Sequence, residues 1–187
     1  MSARIPQRKR IYLGCEGESE QSYGKRLNEI ADEAGLHLHI DCDVLQPGSG
    51  DPLALIEMAV RHIRQKVSNR GLFAHRAVIL DADKLNISPD RDARIPRLAE
   101  SHSIQLIWQR PCHEGFLLRH FPRRDTIRPL TAGLAMAALV NFWPEFRKGM
   151  TARELATRID QASVLRAAAV EPDLNAFLAL IGLIDPR

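Results

Sequence analysis

Acidic side chains gather at three points of the chain. The stretch Cys15–Glu20 reads C-E-G-E-S-E and carries Glu16, Glu18 and Glu20; Ile79–Asp83 reads I-L-D-A-D; and Glu114 follows Pro111, Cys112 and His113. Carboxylates crowded into one site repel one another and resist ionisation. A hard divalent cation removes that cost, and oxygen donors are what Mg²⁺ or Mn²⁺ prefers. The D-x-D spacing of Asp81 and Asp83 suits a strand end, where alternate residues point the same way and could reach one ion, directly or through water. Such an ion stabilises charge building on a phosphoryl group and lowers the pKa of an attacking water.

Each acid has a plainer reading. Glu18 would face solvent, Ser19 would cap a helix, and Glu20 would favour the positive end of its dipole. D-x-D is common in surface turns. The combination of Glu16, Asp81 and Asp83 points further than any member, provided the fold brings the three together.

The elements that must do so are legible. Arg10–Cys15 reads as a short strand. Ser19–Ala34 reads as a helix with Tyr23, Leu27, Ile30 and Ala34 on one face and Gly35 to stop it. Leu36–Leu45 begins by alternating and reads as a half-exposed strand, with His37 and His39 on its wet face. After the loop Gln46–Gly50, Asp51 caps a helix with Pro52 at its first position. There Leu53, Ile56, Val60, Ile63 and Val67 form a helical stripe. Arg76–Asp81 is a continuous apolar run ending in acid, as suits a strand buried on both faces. A loop and a short helix to about Ser101 lead to a strand at Ile104–Gln109.

The order β-α-β-α-β-α-β implies an α/β fold: a compact, mainly parallel sheet with helices on both faces. In such sheets ligands gather at the carboxyl ends of the strands. If the first and third strands are neighbours, Glu16, Asp81 and Asp83 share that edge. Beyond Pro111 the pattern is helical, with candidates at Glu114–His120, Ala132–Phe142, Ala152–Ala169 and Asp173–Ile184. The expected organisation is an α/β domain over residues 1–125, with a basic tail at 1–9. A helical region at 126–187 packs on or extends the same domain. There Leu155, Ile159, Leu174, Phe177, Leu178 and Ile181 should be buried.

Composition limits the function classes. Of 187 residues 45% are hydrophobic and 26% charged, which excludes disorder and collagen-like repeats. No apolar run approaches the roughly 20 residues of a membrane span. Cys15, Cys42 and Cys112 are too scattered for a disulfide framework, so a reducing cytoplasm is expected. No second Cys or His pair at ligand spacing joins Cys112 and His113, which argues against zinc. Neither a phosphate-binding G-x-x-x-x-G-K-[ST] loop nor a G-x-S-x-G nucleophile is present. Net charge is +3, with basic clusters at Arg4, Arg8, Lys9 and Arg10 and again between Arg110 and Arg128. Arginines beside an acidic motif make sense where a nucleic-acid backbone must approach carboxylates.

C-E-G-E-S-E-Q-S-Y (Cys15–Tyr23), I-L-D-A-D (Ile79–Asp83) and P-C-H-E-G-F-L-L-R-H-F (Pro111–Phe121), in that order, resemble the RloB-like proteins. The resemblance spans roughly residues 11–121. Pro111, Cys112 and Glu114 match the family pattern, while Arg110 stands for its usual Asn and His113 for its usual aromatic residue.

The resemblance implies a Toprim-type domain of prokaryotic restriction and phage-defence loci. By that carry-over Glu16 is the first acid, with a general acid/base or metal role. Asp81 and Asp83 are the Mg²⁺-binding pair, Glu114 a further ligand, and Glu20 the second acid of the first motif. The function so implied is a Mg²⁺-dependent (or Mn²⁺-dependent) nuclease in which water attacks a phosphodiester of DNA or RNA. Arg110, Arg119, Arg123 or Arg124 would hold the backbone. The alternative is a non-cleaving nucleic-acid-binding or sensor subunit that works with an ATPase partner from the same locus. A homo-oligomer is compatible with either.

Overall fold

A computed structural model describes residues 8–45, 50–85 and 88–185. Arg4 and most of the loop expected at Gln46–Gly50 lie outside the described residues. The first two thirds form β1 (Lys9–Cys15), α1 (Glu18–Glu33), β2 (Leu38–Val44), α2 (Pro52–Arg70), β3 (His75–Asp81), α3 (Pro89–Ser101) and β4 (Gln105–Gln109). The sheet is all-parallel in the order β2-β1-β3-β4. The fold is therefore α/β, as the alternation and the resemblance both imply. β1 and β3 are neighbours with Cys15 opposite Ile79, and Asp81 lies opposite Gln109 of β4. The carboxyl ends of three strands thus meet at one edge.

The two faces follow from the period of two. Ile11, Leu13, Ala77 and Ile79 face a core shared with α1, while Tyr12, Val78 and Leu80 face a second core under α2 and α3. The continuous apolar run of β3 is explained by these two cores. α1 lies close on the sheet because residue 24 is glycine: a Cβ there would come within 2.7 Å of Leu13 Cδ2 and 2.8 Å of Cys42 Sγ. Asp51 caps α2, accepting the Leu53 N–H at 3.3 Å, with Pro52 in the first turn. α1 is capped by Gly17 and not by Ser19: the Glu20 carboxylate accepts the Gly17 N–H at 3.0 Å.

Both sheet edges are occupied by helix side chains. On β2, Ile40 N–H donates to Asn28 Oδ1 at 2.7 Å and the Cys42 carbonyl accepts from Gln21 at 3.3 Å. On β4, Trp108 N–H donates to the Asp173 carboxylate at 3.1 Å. Blocked edges of this kind discourage strand addition from another chain.

The remaining helices are α4 (His113–Leu118), α5 (Ala132–Phe142), α6 (Ala152–Leu155), α7 (Gln161–Ala168) and α8 (Pro172–Ile181). Leu155, Ile159, Leu174, Phe177, Leu178 and Ile181 are all buried, in the same apolar cluster as Ile11 and Leu13. The helix expected over Ala152–Ala169 is two helices. Asp160 accepts the Ser163 N–H at 2.8 Å and starts a new one, while the Ile159 carbonyl is taken by Arg26 Nε at 2.8 Å. α8 stops at Ile181, short of Ile184, because Gly182 turns left-handed at φ 87°. Among the described residues no helix is long and apolar enough to cross a membrane.

Candidate metal centre

Glu16 follows the last residue of β1, and its Oε2 accepts the Asp81 N–H at 3.1 Å. Gly50 makes room for it: a Cβ there would sit 3.1 Å from Glu16 Oε1 and 3.2 Å from Lys84 Nζ. Its φ of 68° is also one that favours glycine. Glu20 lies one turn into α1, 6% exposed, with Oε1 3.8 Å from His113 Nδ1. Glu114, 4% exposed at the start of α4, accepts the Cys112 S–H at 3.0 Å and pairs with Lys148 Nζ at 3.2 Å. Glu16, Glu18, Glu20, Asp81, His113, Glu114 and Lys148 line one open cavity of about 500 Å³.

The charges in this cavity are poorly compensated. Burial, reinforced by Glu20, Glu16, Asp83 and Glu114, pushes the Asp81 carboxyl up to about 9. One of its oxygens, Oδ1, is buried and has no hydrogen-bond partner. Burial also raises Glu16; the Asp81 N–H opposes this, and the charges of Glu20 and Asp83 add to it. Glu114 goes the other way. Burial disfavours its charge, but the Cys112 thiol, a backbone N–H and the Lys148 ammonium outweigh burial and hold it below the ordinary carboxylate range. Lys148 is raised in turn, chiefly by Glu114.

This donor set fits a hard divalent cation. It offers carboxylate oxygens, an orphaned buried oxygen, and like charges that an ion would relieve. Among the described residues no group of three His, Cys, Asp or Glu side chains is placed closely enough to hold a metal ion.

The cavity brings together Glu16, Glu20, Asp81 and Glu114 of the expected acids. Asp83 is exposed and does not line it. β3 ends at Asp81, so the alternation that would aim Asp83 alongside stops two residues short. Its charge nonetheless reaches both Glu16 and Asp81. Glu18 is exposed, at the rim.

Of the four arginines, Arg110 and Arg123 are exposed and Arg124 lies over the Phe142 ring at 5.1 Å. Arg110 is also 3.8 Å from Asp173. The expectation for Arg119 is corrected. It is 1% exposed, pairs with Glu171 at 2.6 Å and donates to the Arg110 carbonyl at 2.5 Å. Its guanidinium is committed to holding α8 against the end of α4 and cannot reach a backbone in solvent.

Sequence reasoning missed Lys148. It enters from the helical region on a loop fixed by the Gly149 N–H donating to Ser19 Oγ at 3.1 Å. No local signal marks it, since the contact spans 130 residues.

A protein-family model described as RloB-like protein matches residues 11–163. No curated protein and no solved structure matches the chain.

Proposed function

The chain belongs to the RloB-like family, and on that premise we propose that it is a Toprim-type, Mg²⁺-dependent nuclease of prokaryotic anti-phage defence. The observation that carries this reading is the unpartnered Asp81 Oδ1, buried among Glu16, Glu20 and Glu114 at the carboxyl edge of the sheet. Those four acids would hold Mg²⁺ or Mn²⁺, with the charge of Asp83, which reaches Glu16 and Asp81, adding to theirs. The ion would polarise a phosphoryl oxygen and lower the pKa of an attacking water.

The chain's own groups supply the rest. Glu16, whose Oε2 is the oxygen held by the Asp81 N–H, takes the proton from the attacking water at its other carboxylate oxygen. The water oxygen bonds to phosphorus, the bond to the leaving sugar oxygen breaks, and that oxygen takes up a proton from solvent. Lys148, paired with Glu114 at 3.2 Å, would neutralise a non-bridging oxygen. Arg110, Arg123 and Arg124 offset the repulsion between the acidic edge and an incoming phosphate backbone.

A second reading has one observation in its favour. Glu114 already has a cation in Lys148, so part of the cluster is neutral without a metal. That suits a non-cleaving nucleic-acid-binding or sensor subunit acting with an ATPase partner. The deciding experiment uses the purified chain on labelled single- and double-stranded DNA and RNA, with Mg²⁺, Mn²⁺ or EDTA. Metal-dependent cleavage that Asp81→Asn abolishes supports the nuclease. Binding without cleavage of any of the four substrates supports the second reading.

A further inference from the structure

The acidic cavity has a cationic counterpart at the opposite edge of the sheet. β3 and β4 begin there, at His75 and Gln105. A cavity of about 320 Å³ is lined by His75, Arg76, Ser103 and Gln105, with Phe73 and Leu180 as its apolar wall. A second, of about 160 Å³, has Val60, Ile63 and Val67 of α2 on its apolar side and Arg64, Arg76 and His102 on its polar side. Arg76 belongs to both, and His102 and Ser103 are consecutive, so the two form one groove. It wraps the amino end of β3, from α8 on one face of the sheet to α2 on the other. Among the described residues no acidic side chain lines either cavity. Arg76 donates to the His102 carbonyl at 2.9 Å, which ties the turn after α3 to β3. Arg64 is exposed, and neither it nor Arg76 joins an ion pair among the described residues. Gln105 Nε2 donates to the Asp173 carbonyl at 3.1 Å, and its Oε1 is buried without a partner. A donor is what that oxygen lacks.

We propose that this groove docks an acidic segment of a partner protein, with one aliphatic side chain in the smaller cavity, carboxylates against Arg64 and Arg76, and a backbone N–H toward Gln105. Arginines recognise acidic segments through paired N–H donors, and an apolar anchor between them supplies the desolvated contact. The charge argues for an anionic occupant, and the floor argues for a peptide. Val60 and Ile63 are 8% and 6% exposed, and a phosphate backbone laid over them would lose water without a partner. No ring is free to stack a base either. Phe73 is 5% exposed, with Arg10 over its face at 4.2 Å and Tyr12 edge-on at 5.5 Å. The stretches outside the described residues carry no acidic side chain, so none of them matches the groove and the segment comes from another molecule. A partner docked at this edge leaves the acidic cavity at the other edge open, whatever that cavity does.

Selection from a random-peptide phage library on the immobilised full chain tests this, followed by fluorescence polarisation of the most enriched peptide labelled with fluorescein. Enriched sequences should carry Asp or Glu on both sides of one Leu, Ile, Val or Met, and affinity should fall as salt rises. Arg64→Glu, at an exposed and unpaired position, should weaken the labelled peptide by about tenfold or more with an unchanged thermal melt. Arg76→Gln keeps a donor for the His102 carbonyl and should act in the same direction. Serine in place of the peptide's aliphatic residue should also weaken it. Arg153→Glu makes the same charge change on α6, outside both cavities, and should leave binding intact. A selection that enriches no acidic sequence overturns the proposal, as does a peptide that Arg64→Glu and Arg76→Gln bind as tightly as wild type. A single-stranded oligonucleotide bound more tightly than the peptide and released by Arg64→Glu gives the groove to nucleic acid. Self-association of the wild type that Arg64→Glu abolishes gives it to a second copy. Either result overturns the proposal as well.

Discussion

The Glu16 carboxylate accepts the backbone N–H of Asp81 at 3.1 Å, across 65 residues of sequence. This bond fixes the first acid against the end of the neighbouring strand and leaves the Asp81 carboxyl facing the acidic cavity with one oxygen unpartnered. The site is therefore built on strand ends and helix starts, and Lys148 and Gly149 come to it from the helical region. Rigid elements hold catalytic groups more closely than loops do.

Asp81 should make the metal-free protein lose stability as pH rises. Its carboxyl is held at about 9 when folded, against an ordinary 3.8. Between these values the folded state keeps a proton that the unfolded chain has released. Stability is fully present below the lower value and is lost as pH climbs through the upper one. Asp81→Asn keeps the shape and removes the linkage. In EDTA it should melt at least about 1 kcal/mol, or roughly 2–4 °C, above wild type at pH 8. The difference should shrink toward pH 4. Melts that run parallel across this range would show that Asp81 is not buried among like charges.

His120 should act in the opposite direction. It is fully buried, with Nε2 2.9 Å from the Tyr23 hydroxyl, and burial lowers it from 6.5 to about 3. The unfolded chain binds a proton below 6.5 that the folded state refuses, so this stability is present above 6.5 and lost as pH falls toward 3. In an NMR titration the His120 ring should stay neutral down to pH 4.5. Titration near 6 would contradict its burial.

Arg119 should matter for stability and not for binding nucleic acid. Removing one partner of a buried ion pair strands the other, so Arg119→Met or Glu171→Gln should cost about 3–5 kcal/mol in urea unfolding. Arg123→Ser, at an exposed position, should stay within about 0.5 kcal/mol of wild type while lowering affinity for a DNA or RNA oligonucleotide. Equal stability losses from Arg119→Met and Arg123→Ser would overturn the assignment.

The contrast between those arginines shows what the sequence carries. The apolar runs of β1 and β3, the Asp51-Pro52 start of α2 and the limits of α5 are local patterns, and each appears where its pattern puts it. The Glu16–Asp81 contact was reachable too, because parallel strands end at a common edge. Arg119 looks in sequence like the other three arginines expected to hold a backbone, because its partner, Glu171, is far along the chain and carries no mark of the pairing. Lys148 was invisible for the same reason: Ser19 places it, and that bond exists only after the helical region has packed. The break between α6 and α7 has a local mark, Asp160 followed three residues on by Ser163, and Arg26 taking the Ile159 carbonyl adds a contact that no window around residue 159 contains.

The central claim is that Asp81 completes a divalent-cation site, and Mn²⁺ titration calorimetry in two buffers of different ionisation enthalpy tests it most directly. At pH 7.5 the wild type should bind Mn²⁺ and release about one proton per ion, because the raised Asp81 carboxyl must ionise to ligate. Asp81→Asn should bind at least tenfold more weakly and release no such proton. A wild type that takes up no Mn²⁺ at millimolar concentration, or a variant that binds with the same affinity and the same proton release, would contradict the account.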